Sequence, residues 1–187
     1  MHHQRRHRRT FNEPGHVHAL TFSCYQGYQF LSAERTCRWL AGSIDAARKK
    51  FDFQLWAYVF MPEHAHLLVF PNRREYDIAA IRRAIKSPVA KRAIRYLEVH
   101  APGWIPKITR RRGQIAERLF WQSGGGYDRN LIEPTTLLTT IDYIHMNPVR
   151  RRLIISAADW KWSSASWFEG NRDVPLIPDA IPPDWLN

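Results

Sequence analysis

Apolar and polar positions alternate from His16 to Tyr25. His16, His18, Leu20, Phe22 and Cys24 stand against Val17, Ala19, Thr21 and Ser23, a period of two that predicts a strand. From Ala33 to Lys50 the period changes: Trp39, Leu40, Ile44 and Ala47 recur at helical spacing, with Ser32 placed to cap the helix. Phe53 to Phe60 and His64 to Phe70 are two apolar strands, and the short break Met61-Pro62-Glu63 between them allows an antiparallel hairpin. Asp77 is placed to cap a second helix through Ile78, Ile81 and Ile85. Pro88 is expected to kink or break that helix before it resumes over Val89 to Val99. His100 to Gly113 reads as an irregular basic loop. Ile115 to Gln122 reads as a fourth strand, ended by Gly124-Gly125-Gly126. Glu133-Pro134 opens a last helix, which carries Leu137, Leu138, Ile141, Tyr143 and Ile144 and ends near Asn147-Pro148.

The order strand, helix, strand, strand, helix, strand is that of the α+β, ferredoxin-like split βαβ arrangement. It predicts an antiparallel sheet with helices on one face and the first and third strands adjacent at its centre, followed by a C-terminal helix and an irregular tail. The 187 residues suit one domain with a real core. The expected division is a basic N-terminal arm over 1–15, the domain over 16–170 and a proline-rich tail over 171–187. No apolar run approaches the length of a membrane span, and no apolar segment follows the basic start, so no membrane partner is expected. Cys24 and Cys37 are too few for a disulfide framework or a four-thiolate zinc site, and a reducing cytoplasm is the expected compartment.

Charge narrows the class of partner. Lys and Arg total 28 against 17 acidic residues, a net charge of +11, as expected of a protein that meets a polyanion. The excess is clustered in Arg5, Arg6, Arg8 and Arg9, in Arg110, Arg111 and Arg112, and in Arg150, Arg151 and Arg152. The planar guanidinium fork suits phosphate oxygens, so these three clusters are the candidate nucleic-acid contacts. The eight tryptophans include candidates for stacking on unpaired bases.

The candidate chemistry begins at His64 and His66. Residues i and i+2 of a strand share a face, so both imidazoles project together, about 7 Å apart along the backbone, and can bind one divalent metal ion. Tyr143 and Asn147 lie four apart on the last helix, one face offering a phenol as nucleophile and an amide oxygen as a hard metal ligand. Each has a rival. His16-Val17-His18 is a second His-x-His, Tyr127 is a second tyrosine beside a glycine run, and Asn147 could instead cap the helix before Pro148.

With these residues in place, Met61-Pro62-Glu63-His64-Ala65-His66 resembles the His-hydrophobic-His (HUH) motif of the single-tyrosine transposases. Tyr143-Ile144-His145-Met146-Asn147-Pro148-Val149-Arg150 resembles the Tyr-Ile-x-x-Asn-Pro-Val-Arg signature of their REP-associated branch. Phe120-Trp121-Gln122, Tyr127-Asp128-Arg129 and Trp160-Lys161-Trp162-Ser163-Ser164 are similar to further blocks of that branch, so the likeness runs from about Gly15 to Trp167. The resemblance implies an endonuclease and strand transferase acting on single-stranded or hairpin DNA. His64, His66 and Asn147 would bind Mg²⁺ or Mn²⁺, and Tyr143 would form a 5′-phosphotyrosine. It implies no nucleotide cofactor, and leaves open a monomer or a homodimer that shares its tyrosines. The competing reading is a non-catalytic ferredoxin-like nucleic-acid-binding module. RNA-recognition sheets of that topology use an exposed aromatic motif with glycines that this chain lacks.

Overall fold

The computed structural model describes residues 12–124 and 126–186. The arginines at 5, 6, 8 and 9 lie outside the described residues. The elements follow as β1 (Val17–Ser23), α1 (Glu34–Phe51), β2 (Phe53–Phe60), β3 (His64–Pro71), α2 (Ile78–His100), α3 (Ile105–Ile108), β4 (Thr109–Arg112), β5 (Ile115–Arg118), β6 (Tyr127–Leu131), α4 (Pro134–His145), α5 (Asn147–Arg150) and α6 (Ala165–Phe168). Four strands form one antiparallel sheet in the order β2-β3-β1-β6, with β1 and β3 adjacent at its centre. The α+β expectation holds.

Both faces of this sheet are covered. On one face α1 and α2 bury Leu40, Ile44, Ile78, Ile81 and Ile85 against Leu20, Phe22, Leu55 and Leu67. On the other, α4 lays Leu137, Ile141 and Ile144 over Trp56, Val59, Leu68 and Leu131. Burial on both sides is why β2 and β3 are almost continuously apolar rather than alternating. A register shift between Leu55 and Ala57 turns Trp56 and Ala57 together toward the α4 side. The helices expected on one face are thus α1 and α2; the tyrosine helix holds the opposite face.

Four local expectations are corrected. Ser32 does not cap α1; it closes a short 3₁₀ turn, and Ala33 stands at the N-cap without a side-chain bond. Pro88 does not break α2, which runs unbroken for 23 residues. Proline removes a donor and disturbs the carbonyl four residues back. Here the Ser43 hydroxyl of α1 meets the carbonyls of Ile85 at 2.7 Å and Ala84 at 3.3 Å. The irregular basic loop is instead a 3₁₀ turn, α3 and β4, and β4 pairs with β5 in a separate hairpin. The fourth strand of the main sheet is therefore β6, not Ile115–Gln122. Only the end of that predicted strand touches β1, through the Cys24–Trp121 bridge and the 2.8 Å bond from Gln122 N–H to the Ser23 carbonyl. Between this contact and β6 the chain jogs at Gly126, where φ is +73° and an added Cβ would lie 2.2 Å from the Thr21 carbonyl oxygen. Only glycine fits there.

The carboxyl-terminal segment runs along the outer edge of β2. Phe60 N–H donates to the Trp162 carbonyl at 2.8 Å, and Ser164 N–H to the Tyr58 carbonyl at 3.0 Å. Farther along, Asp179 takes the Leu55 N–H on its carboxylate and returns its own N–H to the Leu55 carbonyl, each at 2.8 Å. The tail is thus an ordered strap over the edge strand.

Candidate active site

Register places the histidines. Thr21 of β1 pairs with His66 and Ser23 with His64, so both imidazoles face the α4 side of the sheet. Although their backbones are two residues apart along β3, the rings lean together: His64 Nε2 and His66 Nε2 are 3.0 Å apart and the rings are nearly perpendicular. His64 Nδ1–H donates to Glu63 Oε1 at 2.9 Å; a carboxylate only accepts, so the proton sits on Nδ1 and Nε2 offers its lone pair. His66 Nδ1 is 2.7 Å from Thr21 Oγ1, which can accept its N–H in the same way. Glu63 also takes an ion pair from Arg151.

Burial sets the protonation of this pair. Desolvation, with the neighbouring His64 adding to it, pushes the His66 imidazole down to about 4. Desolvation also lowers His64, although Glu63 works against it. Burial alone would raise the Glu63 carboxyl, but the hydrogen bonds and charges of His64 and Arg151 outweigh it and hold the carboxyl below its usual range. Two neutral imidazoles facing each other through Nε2 are the form that ligates a cation. Metal–nitrogen bonds of about 2.1 Å meeting at a right angle put two nitrogens roughly 3.0 Å apart, so the pair fits a single octahedral ion. Among the described residues there is no cluster of three or more His, Cys, Asp or Glu side chains that could hold a metal. Among the described residues, the groups left to serve as a third protein ligand are amides, hydroxyls and backbone carbonyls.

The tyrosine comes from the opposite wall. The Tyr143 ring, 48% exposed, stands edge-on to His66 with centroids 5.7 Å apart, and the Arg150 guanidinium lies 5.1 Å from the centre of the same ring. The helix ends sooner than the sequence suggests: α4 stops at His145, and Asn147 begins α5. The Asn147 amide donates to the Tyr143 carbonyl at 3.2 Å, the capping role, while its oxygen has no hydrogen-bond partner among the described residues. His145, between them, turns inward to the Ser164 hydroxyl at 2.8 Å, which fastens the tyrosine helix to the strap along β2.

The rivals fall elsewhere. His18 faces the other side of the sheet, fully buried, with Nδ1 on Asp128 at 2.9 Å and Nε2 on the Tyr76 hydroxyl at 2.8 Å. His16 meets Asn130 at 3.1 Å. His18 thus ties β1 to β6 and to the segment before α2, and His16 is bonded to β6. Tyr127 lines the cleft that contains Tyr143 and His66, so it remains near the chemistry. Both thiols are buried, and burial pushes each up to about 12, which makes them inert. Of the arginines, Arg150, Arg151 and Arg152 are exposed beside the site. Arg110 is tied to Glu117 and Ser123 at 2.6 Å each, leaving Arg111 and Arg112 as the exposed members of the β4–β5 hairpin. Sequence reasoning missed Glu63 and Thr21 as partners of the histidines. The adjacency of Glu63 to His64 was visible, whereas Thr21 needed the β1–β3 register.

The mixed α+β architecture, a four-stranded antiparallel sheet with helices on its faces, matches the fold of a REP-associated tyrosine transposase. The solved structure of that protein, bound to a REP hairpin, is similar with a TM-score of 0.66 over 94% of this chain and 93% of that one, at 19% identity. A second solved structure, of a candidate transposase from Deinococcus radiodurans R1, covers 73% of this chain and 95% of its own at 18% identity, with a TM-score of 0.45. No protein-family model and no curated protein sequence matches the chain. The relationship is distant and structural.

Proposed function

We propose that the protein is a metal-dependent HUH endonuclease and strand transferase that cuts and rejoins single-stranded DNA at palindromic-repeat hairpins. The observation that carries this reading is the convergence of His64 Nε2 and His66 Nε2 at 3.0 Å beneath the Tyr143 ring of the same chain. His64 and His66 would hold Mg²⁺ or Mn²⁺, with Asn147 as the candidate third ligand, since its amide oxygen carries no hydrogen bond among the described residues. When bound, the ion supplies charge stabilisation to the phosphoryl oxygens.

Tyr143 is the nucleophile. Its oxygen forms a bond to phosphorus as the bond from phosphorus to the 3′ oxygen breaks, leaving a 5′-phosphotyrosine and a free 3′-hydroxyl. The phenol, with an ordinary pKa of about 10, loses its proton in the attack, and the departing 3′ oxygen gains one. The phosphotyrosine conserves the ester, so an incoming 3′-hydroxyl can reverse the step and no nucleotide cofactor is needed. Arg150, Arg151 and Arg152, with Arg111 and Arg112 on the hairpin, bind backbone phosphates. The solved structure at TM-score 0.66 was bound to a REP hairpin, which supports hairpin DNA as the substrate class.

The test is covalent capture. Incubated with Mn²⁺ and labelled hairpins carrying single-stranded flanks, the protein is expected to form an SDS-resistant adduct, and Tyr143→Phe none. An adduct that survives Tyr143→Phe moves the nucleophile to Tyr127. No adduct from the wild type with either metal defeats the catalytic reading.

A further inference from the structure

Beyond His66 the site opens into a cleft of about 520 Å³ between the sheet and α4, a volume typical of small-molecule sites. It lies on the side of the histidine pair away from Glu63 and Arg151. Thr21 pairs with Tyr127 and Ala19 with Arg129, so Tyr127 and Arg129 share the face that carries His66. Across the gap stand Thr139 and Thr140, one turn before Tyr143. The floor between them is made by the Ala19 and Ile144 side chains and the backbone of the two central strands.

The polar groups here have definite capacities. Arg129 is exposed and makes no ion pair or side-chain hydrogen bond among the described residues, so its guanidinium can take a phosphate. Tyr127, 43% exposed, presents a ring on which a base can stack. The Thr139 hydroxyl donates to the Thr135 carbonyl at 2.9 Å and the Thr140 hydroxyl to the Thr136 carbonyl at 2.7 Å. A hydroxyl has one proton, so what each retains for the cleft is its lone pairs. A wall of acceptors selects donors. Adenine, cytosine and guanine carry an exocyclic amino group with two N–H donors for the two acceptors. Unpaired thymine offers a single N3–H, flanked by two carbonyl oxygens that face the hydroxyl lone pairs unfavourably.

We infer that the cleft is a base-selecting subsite for the nucleotide next to the scissile phosphate, an assignment that rests on the nuclease reading above. The base lies against Tyr127 on this floor, Arg129 holds a backbone phosphate, and Thr139 and Thr140 accept hydrogen bonds from an amino-bearing base. Arg150 to Arg152 hold the strand on the other side of the histidine pair.

The test uses hairpin oligonucleotides with randomised single-stranded flanks, read in two ways. Sequencing of Tyr143 adducts formed with Mn²⁺ is expected to show thymine depleted at one position beside the cut. In Thr139→Val/Thr140→Val, whose side chains keep the shape and lose the acceptors, that depletion shrinks by about 3- to 10-fold. Arg129→Gln weakens binding of the whole pool about uniformly and leaves the base preference in place. The second readout selects oligonucleotides bound by Tyr143→Phe, with and without the threonine changes, and needs no cleavage. If no adduct forms but bound sequences show the threonine-dependent preference, the nuclease reading fails and the subsite stands. If the preference is absent, or is unmoved by the threonine substitutions in either single or double variants that melt like the parent, the subsite is wrong.

Discussion

At the scale of single residues, the site depends on groups that fix the two imidazoles. Glu63 accepts the His64 Nδ1–H at 2.9 Å and so decides which nitrogen of that ring is free. Partners of this kind typically contribute 10- to 100-fold to metal affinity. Glu63→Ala is therefore expected to weaken Mn²⁺ binding by about 10-fold or more, measured by titration calorimetry on the DNA-free protein. An affinity within twofold of wild type would show that His64 needs no orienting group. A second residue-scale consequence follows from burial. His66 and His145 are held down to about 4 by desolvation, against an ordinary 6.5. The unfolded chain then binds more protons than the folded one between those values, so stability falls as the pH drops from 6.5 toward 4. His64 is lowered in the same direction. His145→Gln removes one of these three contributors, and the loss of melting temperature between pH 7 and pH 5 in metal-free protein should become smaller. An unchanged pH dependence would mean that His145 is not held neutral in the fold.

At the scale of elements, α2 shows how a neighbour can override a local rule. Its continuity past Pro88 coincides with the Ser43 hydroxyl reaching the Ala84 and Ile85 carbonyls from α1. Ser43→Ala leaves a buried interface without that donor and is expected to cost about 1–3 kcal/mol, read from urea unfolding. A cost near zero would show that the helix tolerates the proline without help. Such cross-element bonds explain what the sequence could not display. The pairing of His64 and His66 was legible because i and i+2 share a face in any strand, and Tyr143 because helical periodicity carries it to one side of α4. The passage of α2 through Pro88 was not legible, since Ser43 is remote in sequence. The fourth strand was misplaced for a similar reason: Ile115–Arg118 has strand character, but its partner is β4, and the sheet edge is completed only after the jog at Gly126. The spacing of Tyr143 and Asn147 was read correctly as four residues. The end of α4 at His145 nevertheless gave the Asn147 amide a capping bond that periodicity alone does not reveal.

At the scale of the whole molecule, the question is whose tyrosine serves whose histidines. Three features bind both halves of the site within one chain. Tyr143 stands against His66 of its own chain, and Arg151, just beyond it, is paired with Glu63 beside His64. The strap over β2 is bonded to the inward-facing His145, so the tyrosine helix is held on both sides. It also occupies the hydrogen-bonding edge of β2, which a second copy would otherwise extend. Exchange of tyrosines between two copies would have to break the Glu63–Arg151 pair and lift α4 from the apolar surface of Trp56, Val59 and Leu68. A mixture of His64→Ala and Tyr143→Phe proteins is accordingly expected to form no covalent adduct with hairpin DNA, because each chain lacks one half of its own site. Recovery of the adduct in the mixture, at protein concentrations where neither variant forms it alone, would show that the tyrosine is delivered from a partner and that α4 leaves this position during the reaction.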